Sequence, residues 1–208
     1  MNGFVNVVYG VSHRVIRVVY INLLWFTFTL LGLILFGFFP ATFAMFAVVR
    51  SETISERQDK SIFKLYWKAY VEYFVKINII GWLYVLILFV LLLEIDFISE
   101  YNNNFLNVFL VPLLTLIVIL CCTLLFIFPF HVHYRGGILD SFKVSFLTML
   151  LNPILTFSML FAILIVFLIN LYIPISAVFF SGSVYAFIIM NVSLIGFKKI
   201  ERRNGIQK

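Results

Sequence analysis

Apolar and polar positions fall along this chain in long blocks rather than alternating residue by residue. Val18 to Phe39 carries no charge, and the apolar character continues past Pro40 through Val49 until Arg50 ends it. Ile77–Leu93, Leu106–Phe130, Pro153–Ile173 and Pro174–Phe197 are further uncharged runs. A helix needs about 20 apolar residues to cross a membrane, because it rises about 1.5 Å per residue across a hydrocarbon core of about 30 Å. Each run predicts a crossing, so the expected fold class is all-α: a polytopic helical membrane protein with five clear transmembrane helices. The run 18–49 exceeds one crossing and falls short of two. Within it Gly37-Phe38-Phe39-Pro40 breaks a helix, since proline lacks the amide donor and clashes with the preceding turn. It reads as a full span followed by a short returning helix, with Gly37 and Pro40 as the candidate helix-break site.

Two shorter stretches have the pattern of amphipathic helices lying on the membrane surface. Lys60, Lys64, Lys68, Glu72 and Lys76 recur every fourth residue, with Phe63, Tyr66, Trp67, Tyr70 and Phe74 around them. In 140–152 a polar line of Ser141, Ser145, Thr148 and Asn152 runs at helical spacing, flanked by Phe142, Phe146, Leu147, Leu150 and Leu151. Asp140 is placed to cap that helix. Both stretches lead into a pair of spans, so Ser61-Ile62-Phe63-Lys64 and Asp140-Ser141-Phe142-Lys143 mark a weak internal repeat. The chain divides as one membrane domain, 1–208: an N-terminal amphipathic segment (1–17), the span with its return (18–49), two units of amphipathic helix and hairpin (60–130 and 140–197), and a basic tail (198–208).

Charge sets the expected orientation. The residues 94–104 between the second and third spans hold Glu94, Asp96 and Glu100 and no Lys or Arg. Of the 15 Lys and Arg, all but Arg14 and Arg17 lie in 50–76, 131–152 and the tail, which the span order puts on one side. By the positive-inside rule that side is cytoplasmic, with the C-terminus inside. If the Pro40 segment returns, the N-terminus is inside too. The first apolar run is too long for a signal-peptide core and is expected to stay in the mature protein. The net charge of +6 comes from residues scattered at span ends, not from a basic domain, so no nucleic-acid partner is expected.

Chemistry is sparse. His131 and His133 sit two apart, which on a helix turns them to opposite sides, and no third Cys, Asp or Glu lies nearby except Asp140. They read as interfacial residues ending the third span. The spans contain no ionised residue, the usual mark of proton or ion coupling. Their polar content is neutral, chiefly Asn22, Asn78, Asn170, Asn191, Thr115, Thr123, Ser158, Ser181 and Ser183, and such groups commonly bridge helices. Cys121 and Cys122 are adjacent and read as packing. No nucleophile has a base beside it and no phosphate-binding glycine loop is present. The expectation is a non-enzyme with no catalytic residue, no metal and no cofactor.

Several local patterns together carry a resemblance. Asn22-Leu23-Leu24-Trp25, Gly37-Phe38-Phe39-Pro40-Ala41-Thr42, Ala47-Val48-Val49-Arg50, Phe63-Lys64 with Trp67-Lys68, Phe128 to Tyr134, Lys143 and Asn152-Pro153 resemble the YesL family of bacterial integral membrane proteins. The likeness runs from about residue 20 to 200, and departs at Gly136-Gly137, which loosens the joint between span and helix. Members have no agreed biochemical activity, but their genes often lie beside carbohydrate uptake systems and sensor kinases. The resemblance implies an accessory or regulatory partner of a carbohydrate uptake or sensing system, with the lipid bilayer, a sugar ABC importer permease, a sensor kinase or a second copy of the chain as partners. Lys64, Trp67, Lys68, His131, His133, Tyr134 and Lys143 form the candidate partner or headgroup surface. The rival expectation is a small transporter or channel for an uncharged solute, acting as an oligomer and built around the neutral polar residues and the Pro40 break.

Overall fold

A computed structural model of the chain describes residues 2–54, 61–101, 108–134 and 136–203. Lys60, the residues Asn102 to Asn104 of the acidic loop, Leu106, Arg135 and the end of the tail (204–208) lie outside the described residues. The described part is all-helical, with seven helices: α1 (Asn2–Leu31), α2 (Phe38–Ile54), α3 (Ile62–Tyr101), α4 (Leu110–Tyr134), α5 (Ile138–Leu151), α6 (Pro153–Tyr172) and α7 (Pro174–Arg203). All but α2 and α5 are long and apolar enough to cross a membrane, which gives the five expected spans. The protein is a multi-pass membrane protein in contact with the lipid bilayer.

Local chemistry explains the breaks. Pro153 and Pro174 open α6 and α7, where a missing amide costs nothing, and each disfavours helical backbone in the residue before it. Asn152 accordingly leaves the helical region (φ −131°, ψ 59°) and ends α5. The first break differs in detail from the sequence reading. Pro40 breaks nothing: it sits in the first turn of α2, where it is tolerated. The chain turns instead at 32–37, where α1 ends in a Schellman motif. There the amide of Ile34 bonds the Thr29 carbonyl at 2.9 Å and that of Leu33 the Leu30 carbonyl at 3.0 Å. Leu33 and Ile34 take positive φ, 56° and 63°, at positions usually left to glycine. Gly32 and Gly37 close the turn against each other: a Cβ on Gly32 would lie 2.2 Å from the Gly37 Cα, and one on Gly37 only 2.4 Å from the Thr29 carbonyl oxygen.

Two expected boundaries disappear. Within the described residues, 2–17 of the N-terminal segment are continuous with the first span as α1, and 62–76 are continuous with the second as the 40-residue α3. No proline or glycine lies between Ile62 and Ile80 to interrupt the latter. The two units of the supposed repeat therefore differ, since α5 is a separate helix. Asp140 is not its cap; Gly137 holds that position and Asp140 lies in the first turn, where its charge favours the helix dipole.

The short α2 is the centre of the bundle, packed against α1, α3, α4 and α7. Its alanines and uncharged length up to Arg50 let neighbours close in on several sides, and Ala41, Ala44, Val48 and Val49 are almost fully buried. Lipid is as apolar as leucine, so packing and hydrogen bonds must hold the helices together. Tyr66 donates to the Ala41 carbonyl at 2.7 Å and Tyr70 to the Phe28 carbonyl at 3.2 Å, tying α3 to both arms of the α1–α2 hairpin. Asn22 is fully buried and clamps α1 to α7, donating to the Val178 carbonyl at 2.7 Å and accepting from the Ser183 amide at 3.2 Å. Asn78 donates to the Phe36 carbonyl in the turn, and Asn170 joins Ser176 and Tyr185 across the α6–α7 hairpin. Thr115, Thr123, Ser158 and Asn191 instead bond carbonyls of their own helices. Arg17 pairs with Glu52 at 2.6 Å, so the start of the first span and the end of the return share one end of the bundle.

The largest departure concerns α5. A surface helix turns its polar line to water, but here Ser141, Ser145 and Thr148 are 0% exposed, while Leu139 is 85% exposed and Leu150 59%. The helix packs polar face inward, against α4, α6 and α7. In lipid the apolar face is the one that belongs outside, and serine lets backbones approach closely.

Candidate functional site

Basic side chains gather at the end of the bundle where α2 and α4 finish and α3 begins. Between these helices lies a cavity of about 380 Å³. Phe43, Ala47, Arg50 and Ser51 of α2 form one wall; Lys68, Glu72 and Tyr73 of α3 form a second; His131 and Val132 of α4 form the third. Lys68 and Glu72 are one helical turn apart and do not close an ion pair. A second polar cavity, of about 310 Å³, lies between Asn152 at the α5–α6 joint and Lys199 and Arg202 of α7.

The two histidines turn to opposite sides, as their spacing requires. His131 is 0% exposed, and its Nδ1 makes a short hydrogen bond with Ser141 Oγ on α5. Ser141 Oγ also reaches the Gly137 carbonyl at 2.7 Å. Ser141 Oγ is thus held between the Gly137 carbonyl and the His131 ring. The other ring nitrogen, His131 Nε2, is buried without a hydrogen-bond partner. His133 points elsewhere: it accepts from Arg50 Nε at 3.1 Å and stacks on Phe197 of α7. Next to it Tyr134 donates to Glu201 Oε1 at 2.7 Å, and Lys76 donates to the Gly136 carbonyl at 2.9 Å. These bonds fasten α2, α3, α4 and α7 together at the basic end.

The residues singled out from sequence are thus split. Lys68 and His131 line the cavity, and His133 and Tyr134 join the network beside it. Lys64 and Lys143 are exposed away from it, and Trp67, half exposed, lays its ring against Phe28. Gly37 closes the α1–α2 turn. Sequence reasoning missed Arg50, Glu72 and Tyr73 as members of one site. Arg50 ends the Ala47-Val48-Val49-Arg50 patch and Glu72 falls in the four-residue charge period, so both signals were visible without their partner helix. At the opposite end α3 and α4 part around a mostly apolar cleft of about 630 Å³, lined by Val90, Leu93, Phe97, Pro112 and Leu116 with Glu94 as its one charged residue. Among the described residues, no three His, Cys, Asp or Glu side chains come together in a way that could hold a metal.

The model of the family described as "Protein of unknown function, DUF624" matches residues 18–95, which comprise the second part of α1, all of α2 and most of α3. The protein YteU of Bacillus subtilis (strain 168) is 32% identical over 92% of this chain and 85% of its own length. The chain belongs to the DUF624 family. YesV and YesL of the same organism are 29% and 28% identical, over 94% and 96% of this chain and 94% and 95% of their own lengths. All three relatives bear the description "uncharacterized protein". No solved structure matches the chain. The DUF624 match contains the α2 and α3 walls of the cavity, with Arg50, Lys68, Glu72 and Tyr73, but stops before His131.

Proposed function

We propose that the protein is a non-catalytic, multi-pass component of the bacterial cell membrane, oriented with its basic end and both termini in the cytoplasm. It works as an accessory or regulatory partner of another membrane protein, and the YesL resemblance points to a carbohydrate uptake or sensing system. The observation that carries this reading is the division of polarity along the bundle. Charged and hydrogen-bonding groups are concentrated at the basic end, whereas the cleft between α3 and α4 at the other end is mostly apolar. Groups lining a path for a polar solute replace its hydration, and the cleft at the other end offers Glu94 alone for this, so a lone bundle of this kind suits contact better than conduction. The exposed Lys64, Trp67 and Lys143 are where a partner would be met.

The test is photo-cross-linking in native membranes from a reactive residue at Trp67, with mass spectrometry of the products. Recovery of a sugar importer permease or a sensor kinase at near-stoichiometric yield supports the reading. Cross-links to a second copy alone, together with solute uptake by liposomes holding only this protein, would replace it with the self-assembled transporter.

A further inference from the structure

We propose that the cavity between α2, α3 and α4 is a binding site for a small anion that carries hydroxyl groups, with glycerol phosphate as the smallest example. The volume of about 380 Å³ lies in the range of small-molecule sites. Its two kinds of polar wall ask for two kinds of ligand group. Lys68 and Arg50 supply positive charge, and Ser51 beside Arg50 supplies a hydroxyl, a combination that suits phosphate or carboxylate oxygens. Glu72 only accepts, so it suits hydroxyl donors. His131 closes the wall on the α4 side. Tyr73 and Phe43, packed ring to ring at 4.9 Å, add an aromatic wall for the ligand's carbon skeleton. The same chemistry reaches a basic end from two sources, a soluble polyol phosphate or the glycerol phosphate headgroup of phosphatidylglycerol. The site stands whether or not the protein has a protein partner.

The experiment uses the purified full-length protein in two arms. In the first, sn-glycerol 3-phosphate is titrated in detergent, with sodium sulfate of equal ionic strength as control, and binding is read by calorimetry and thermal shift. In the second, nanodiscs of phosphatidylglycerol and phosphatidylcholine are prepared and retained lipid is read by native mass spectrometry. Lys68 and Glu72 are exposed, so Lys68→Gln and Glu72→Gln are expected to fold, with melting temperatures unchanged in the absence of ligand. The wild type is expected to bind in at least one arm, with affinity falling about tenfold or more in Lys68→Gln and several-fold in Glu72→Gln. Binding in the first arm assigns a soluble ligand, and selective retention of phosphatidylglycerol in the second assigns the lipid. Absence of binding in both arms, or binding indifferent to Lys68, overturns the proposal.

Discussion

Gly37 and Gly32 touch across the α1–α2 turn with no room for a methyl group. Gly37→Ala should therefore destabilise the protein by about 1–3 kcal/mol through overpacking, seen as an earlier unfolding midpoint in detergent. The neighbouring Leu33 makes the opposite prediction. Its φ of 56° places a branched residue where the Schellman motif favours glycine, and its side chain is 79% exposed, so little packing is at stake. Leu33→Gly should be neutral or stabilising, by up to about 1 kcal/mol; a marked loss would show that the turn is not built this way. Asn22 is the third test. Asn22→Leu removes both bonds to α7, which should cost about 1–2 kcal/mol. At this scale the sequence showed that Asn22 and Asn78 bridge helices and that the chain breaks near Gly37. It did not show Gly32 as the partner of Gly37, because a contact across a turn has no periodicity to betray it. Nor did it show that His131 is buried against Ser141, since the partner lies on another helix whose facing was misread.

Helix α5 shows where a pattern is informative and where it stops. The spacing of Ser141, Ser145, Thr148 and Asn152 identified the helix and the residues that share a face. It could not say which face looks inward, because that depends on the solvent: polar side out in water, apolar side out in lipid. The inverted reading is testable. Ser145 Oγ is buried without a partner, so Ser145→Ala should be neutral or slightly stabilising, whereas Ser145→Leu should cost about 1–3 kcal/mol by forcing α5 off α4. Leu150→Ala, on the outer face, should change little. A helix with its polar line outward would reverse the order, tolerating Ser145→Leu best. The continuity of α3 was equally hidden, because a change from charged to apolar residues alters what surrounds a helix without interrupting its backbone.

For the whole molecule, block hydropathy was enough to find the five spans and the all-helical class, since crossing lengths are set by the bilayer itself. The centrality of α2 was not legible: a helix too short to span looks peripheral in sequence, yet its small and apolar residues let four other helices pack on it. The cavity was half legible, its charges visible along α2 and α3 but their convergence with His131 dependent on tertiary packing. Every functional reading rests on a bundle with one basic and one acidic end held on opposite sides of the membrane. The most direct test is side-specific labelling of single cysteines, in a background lacking Cys121 and Cys122, with a membrane-impermeant maleimide. Cysteines replacing Lys68, Lys143 and Lys199 should label only in inverted vesicles, and those replacing Asp96 and Tyr172 only in spheroplasts. Labelling of positions 68 and 96 from the same side would contradict the account.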